Sequence, residues 1–167
     1  MGASEQLYVT DTNIWIDMDK GQIIDKALRL PLRLAAPDVV IKELERPDGK
    51  RLVQAGLIEM ELSGREVLLV EELAQRYPAP SRVDIFALAL ALSKKGILVT
   101  GDKRLRKAAT KEKVIVRGTL WMLDEMIRHR IACPLECAEA LDKMLKAESL
   151  LPADECEKRL HKWKAAT

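Results

Sequence analysis

Aromatic residues are scarce: one Phe, two Tyr and three Trp, 4% of the chain. A stacking platform of the kind used by single-strand binders is therefore not evident. Neither sign of charge dominates. Twenty-eight Lys and Arg against 26 Asp and Glu leave a net charge of +2, which excludes a broadly basic surface that holds nucleic acid by phosphate contacts alone. Any such contact must be local. No apolar run approaches the roughly 20 residues that cross a bilayer, and the leading MGASEQLYV lacks the basic-then-apolar order of a secretory signal. The expectation is a soluble, cytoplasmic protein with no membrane contact. Cysteine is limited to Cys133, Cys137 and Cys156, which cannot all pair within one chain and fall in helical patterns, as in a reducing compartment. Cys133 and Cys137 can share a helix face, but no second Cys or His pair completes a zinc site. They are expected to be buried as small hydrophobes. A glycine-rich phosphate loop is also missing after the first apparent strand, where DTN stands and would repel an anion. No recognition helix of a helix-turn-helix stands out.

What is present is a chain of 167 residues, 48% hydrophobic, enough for one compact α/β domain with a substantial core. LYVT at 7–10 is a short strand pattern ending at Asp11, and TNIWIDMDKG reads as a helix closed by Gly21. A second helix is expected over 22–34, broken near Pro31. LRLAAPDVVIKELERP then gives a short apolar run and a helical turn or two, stopped by Pro47. LIEMEL at 57–62 alternates like a half-exposed strand near a sheet edge. A helix over 65–77 ends at Pro78. SRVDIFALALALSKKG is apolar nearly all round, as a central buried helix would be. GILVT at 96–100 has the continuous apolar character of a strand covered on both faces, DKRLRKAATKE reads as a helix, and VIV at 114–116 as another short buried strand. An amphipathic helix follows Gly118 and Thr119, and two more are expected over 134–147 and 152–163. Strands alternating with helices predict a three-layer α/β/α sandwich with a mainly parallel central sheet. The domain organisation expected is 1–130 for the α/β domain and 131–167 for a helical extension packed on it or on a second subunit.

Four acids stand where chemistry would be placed. Asp11 and Asp102 each close a strand, while Glu43 and Asp84 lie in helices that begin soon after such points. Strand C-terminal ends line the crevice of an open parallel sheet, so this ordering can gather four carboxylates. Clustered carboxylates repel one another and take up protons unless a hard divalent cation is present, which points to Mg2+ or Mn2+. Two such ions can activate water and stabilise a leaving oxygen without catalytic His or Ser. The only histidines, His129 and His161, lie in the C-terminal helical region. Each acid also has a plain structural role open to it: Ser81 with Asp84 fits a capping box, Asp11 and Asp102 fit N-caps, and Glu43 fits a solvated helix residue. Their conjunction favours the site, because a helix as apolar as the one carrying Asp84 tolerates few charges.

VTDTNIWID, PDVVIKEL, SRVDIFALALA and ILVTGDKRLRKAA, in this order over roughly residues 7–118, resemble the motifs of PIN-domain nucleases. The resemblance implies that Asp11, Glu43, Asp84 and Asp102 bind Mg2+ or Mn2+ and cut RNA, with Asn13 and Thr100 as polar supports. VapC-type toxins are the small members best known in that family. VRGTLWMLDEMIRHRIA and the two helices after it are similar to a prokaryotic branch with an added helical C-terminus. That branch commonly has Gly-Glu ahead of its third acid, where this chain has SRVD.

RNA would need cations beside the acids, and Lys103, Arg104, Arg106 and Lys107 directly follow Asp102. A charge run on a helix is more often only a solvated face. The function expected is a metal-dependent endoribonuclease, the toxin of a toxin-antitoxin pair being one form of it, with RNA, an antitoxin protein and a homodimer mate as partners. The competing reading is a catalytically silent scaffold of the same fold that binds RNA or a protein. Leu141, Met144, Leu145, Leu150, Leu151, Leu160 and Trp163 would serve either a dimer contact or the domain's own core.

Overall fold

In a computed structural model, which describes residues 5–166, the alternation of apolar positions in the strands is used on both faces of one sheet. Tyr8, Leu34, Ala36 and Val99 face one core, and Val9, Ala35 and Leu98 face the other. The strands are β1 (Leu7–Thr10), β2 (Arg33–Pro37), β3 (Ile58–Met60), β4 (Ile97–Val99) and β5 (Val116–Arg117). All neighbours are parallel, in the order β3-β2-β1-β4-β5. Parallel strands need crossovers and covered faces, and the helices supply both. The chain readings of the leading MGAS and of Thr167 lie outside the described residues.

The first core joins α1 (Thr12–Lys20), α2 (Ile24–Ala27), α3 (Asp38–Glu43), α4 (Gly49–Gln54), α8 (Thr119–Arg128), α9 (Pro134–Lys146) and α10 (Ala153–Ala165). The second joins α5 (Gly64–Arg76), α6 (Arg82–Ser93) and α7 (Lys103–Lys111). A three-layer α/β/α sandwich results. α6 buries Ile85 and the run Ala87–Ala91, which is what its apolar circumference required. α9 packs on α1, and α10 on α9. Cys137, Leu141, Met144, Cys156 and Trp163 are thereby built into the first core, whereas Leu145 and Leu150 stay exposed.

Several local expectations are corrected. The helix expected over 22–34 is only Ile24–Ala27, because the chain turns at Leu28–Pro31 to enter β2. The VIV strand is displaced to Val116–Arg117 and is not buried throughout: it pairs only with β4 at the sheet's edge, and Ile115 is 54% exposed. α4 was not expected at all. Cys133 is exposed rather than buried, because its sulfur faces the N-terminus of α9 as a cap. Among the described residues, no helix is long and apolar enough to cross a membrane.

Candidate active site

The strand order reverses between β1 and β4: the chain leaves β1 toward β2 and β3, then crosses back to β4 and β5. Crevices in open parallel sheets form at such a switch, outside the strand C-terminal ends. Asp11 directly follows β1, and Thr100, Gly101 and Asp102 directly follow β4. The two ends are tied together, since the Asp11 amide donates to the Val99 carbonyl at 3.3 Å.

Asp11 has no solvent exposure. One carboxylate oxygen accepts the Ile14 amide at 3.1 Å, capping α1, and the other accepts the Thr100 hydroxyl. Thr100 Oγ1 in turn accepts the Asp102 amide at 3.0 Å, so one buried hydroxyl joins two of the four acids. Burial pushes the Asp11 carboxyl up to about 7; the Thr100 and Ile14 hydrogen bonds oppose this, and the charges of Asp84 and Asp102 add to it. Asp102 caps α7, its Oδ1 accepting the Arg104 and Leu105 amides at 2.9 and 3.0 Å. Its other oxygen has no donor among the described residues.

Asp84 and Ser81 form a reciprocal capping box at the start of α6, at 3.1 and 3.2 Å. Burial raises the Asp84 carboxyl, hydrogen bonds from Ser81 counter it, and the charges of Asp102 and Glu43 raise it again. Glu43, the exposed last residue of α3, accepts a hydrogen bond from the Thr12 hydroxyl. The plain structural roles and the clustering thus coexist. A carboxylate has about four lone-pair positions, so capping an amide does not use up its capacity as a ligand.

A cleft of about 650 Å³ is lined by Thr12, Asn13, Glu43, Ser81 and Asp84, and a second groove of about 480 Å³ by Asn13, Asp102, Lys103 and Arg104 among others. Among the described residues, no three acids are grouped closely enough to hold an ion as they stand. The donor set nevertheless fits a hard divalent cation in kind. All the donors are carboxylate oxygens, and a buried Asp11 among like charges is the electrostatic situation that a cation relieves.

The predicted basic residues separate. Lys103 and Arg104 border the second groove, and Lys107 is exposed on the same helix. Arg106 instead turns its guanidinium back to the Thr100 carbonyl at 3.1 Å. Two residues of the region were not anticipated. Thr12 sits inside the quoted DTN without having been assigned a role. Asp17 is buried on the inward face of α1, accepting the Thr119 and Ser149 hydroxyls at 2.8 Å each. Its spacing of three from Ile14 was the available signal, since i and i+3 share a helix face.

The sheet and its crevice define an α/β protein of the open parallel class with an acidic site at its switch point. Within that class the family is shown directly: the family described as PIN domain matches residues 7–165. The chain belongs to the PIN-domain family, which has a nuclease fold and whose members are generally nucleases. Comparison with the curated proteins returns no match.

Proposed function

We propose that the chain is a metal-dependent endoribonuclease that hydrolyses RNA phosphodiester bonds with Mg2+ or Mn2+ held by Asp11, Glu43, Asp84 and Asp102. The observation that carries this reading is Asp11, wholly buried at the switch point with its carboxyl pushed up to about 7 and the charges of Asp84 and Asp102 bearing on it. Such a group is destabilising without a cation and useful with one. When bound, the cation supplies an activated water and charge neutralisation on the phosphate oxygens. The chain's own residues do the rest: Thr100 orients Asp11 and Asp102 through one hydroxyl, and Asn13 stands on the ridge shared by the two grooves. Lys103, Arg104 and Arg106 offer phosphate contacts, with Lys107 behind them; Arg106 also braces the Thr100 carbonyl through one guanidinium nitrogen.

The reading extends to a VapC-like toxin working in the cytoplasm and held by an antitoxin protein, with residues 1–130 as the nuclease domain and 131–167 as its helical extension. A homodimer belongs to it as well, and Val67 and Leu68 on α5 are exposed apolar residues that a second copy would cover.

One observation favours the alternative of a catalytically silent scaffold: among the described residues, no three acids are grouped closely enough to hold an ion as they stand. Incubation of a mixed RNA pool with Mg2+, Mn2+ or chelator, beside the Asp11→Asn, Asp84→Asn double variant, separates the two. Metal-dependent cutting that the double variant lacks is the expected result. Equal inertness of two folded proteins with every metal would make the scaffold the better reading.

A further inference from the structure

The second groove has walls that catalysis by the four acids does not require. It runs between α1, the Gly101–Arg104 segment and the loop joining α9 to α10, and it adjoins Asp102. Asn13 and Ile16 border both it and the cleft containing Glu43 and Asp84, so a strand crossing the acids passes directly into it. We propose that this groove seats one unpaired nucleotide of the RNA next to the bond that is cut, with the α9–α10 loop as the wall that selects it.

The proposal rests on the ribonuclease reading and adds the place and form of the substrate. The groove's volume, about 480 Å³, lies within the range of roughly 300–1,000 Å³ typical of small-ligand sites. That is too small for a duplex and suited to one splayed-out base with its sugar, the form in which single-stranded RNA is usually read. Its chemistry is divided in the same way as a nucleotide. Ile16, Leu150 and Leu151 supply an apolar face, while Lys20, Lys103 and Arg104 supply cations for flanking phosphates. Leu150 is 90% exposed, so in the free protein this apolar side chain has almost no covering of its own.

The wall is held in place. Ser149 donates to the buried Asp17, which also accepts from Thr119 at the start of α8. This anchors the loop, 132 residues distant in sequence, to the helix that Asp11 caps. Glu148 closes α9 with φ 64°, a left-handed helix cap in which the Ser149 amide donates to the Met144 carbonyl at 2.9 Å.

The test uses the full chain with chelator present and a short single-stranded RNA of mixed sequence carrying 4-thiouridine. Irradiation is expected to cross-link the RNA to peptides containing Ile16–Lys20 or Glu148–Leu151. Leu150→Asp should weaken RNA binding about tenfold, by removing apolar contact with the base and placing a like charge beside the flanking phosphates, whereas Leu150→Met should bind as the parent does. Because Leu150 is exposed, both variants should melt as the parent does. In the cleavage assay with metal, Leu150→Asp should raise KM more than it lowers kcat. Cross-links confined to other surfaces, with affinity and KM unchanged in Leu150→Asp, would overturn the groove while leaving the nuclease standing. Absence of both RNA binding and RNA cleavage would overturn the groove and the nuclease reading together.

Discussion

Asp11 should make the cation-free protein lose stability as pH rises. Its carboxyl goes from an ordinary 3.8 to about 7 on folding, so between those values the folded state holds a proton that the unfolded chain has released. Stability therefore falls with rising pH across that window, by about 4 kcal/mol for a shift of this size. Asp11→Asn keeps the cap on Ile14 and the contact with Thr100 but has nothing to ionise. Melting followed from pH 4 to pH 8 in chelator should show a steep decline in the parent and a shallower one in the variant. Added Mg2+ or Mn2+ should recover stability at pH 8 in the parent only. A parent as stable at pH 8 as at pH 5 without a cation would show that Asp11 is not held as described. Much of this residue's significance is visible in the chain, where DTN follows LYVT and TGD follows ILV. What is not visible is Thr100 as the common partner of Asp11 and Asp102, because their coupling depends on β1 lying beside β4.

Among the elements, the α3–α4 turn positions Glu43 and depends on one glycine. A Cβ on Gly49 would lie 2.1 Å from the Ile41 carbonyl oxygen, a backbone atom that cannot swing aside. Gly49→Ala should cost on the order of 3 kcal/mol through overpacking and should displace the end of α3, reducing metal-dependent cleavage together with the melting temperature. Gly64→Ala meets open space and serves as the control; equal melting of the two variants would refute the close approach. Gly21 illustrates how a correct boundary can have a different cause. It ends α1, but with φ −77° it is not a left-handed cap. Its small size is used instead, since a Cβ there would come within 2.7 Å of Met144 and 3.2 Å of the Ala140 carbonyl. The periodic helices α5, α8, α9 and α10 are legible because their patterns repeat over ten or more residues, and α6 because it is apolar nearly all round. α4 and β5 are too short for a pattern, and their existence depends on what they pack against or pair with.

For the whole molecule, the C-terminal helices are part of the core. Trp163 is 3% exposed within a single chain, packed in the same cluster as Trp15, Leu123 and Met144. Trp163→Ala should lower stability by roughly 3–5 kcal/mol without changing the elution volume at low concentration. A shift in elution with stability preserved would reassign the residue to a subunit contact.

The amino-acid sequence by itself determined the alternation of strands and helices, the parallel sheet, and the four acids with their order. Apolar periodicity and strand-end carboxylates are local signals, and a chain carries local signals in full. Only the tertiary structure decided that the strand order reverses between β1 and β4, that the exposed Arg106 reaches back to the Thr100 carbonyl, and that Asp17 fastens the α9–α10 loop beside Asp102. Each of these joins parts of the chain through crossovers or side-chain packing, and the burial that raises Asp11 exists only when both layers of helices have closed over the sheet.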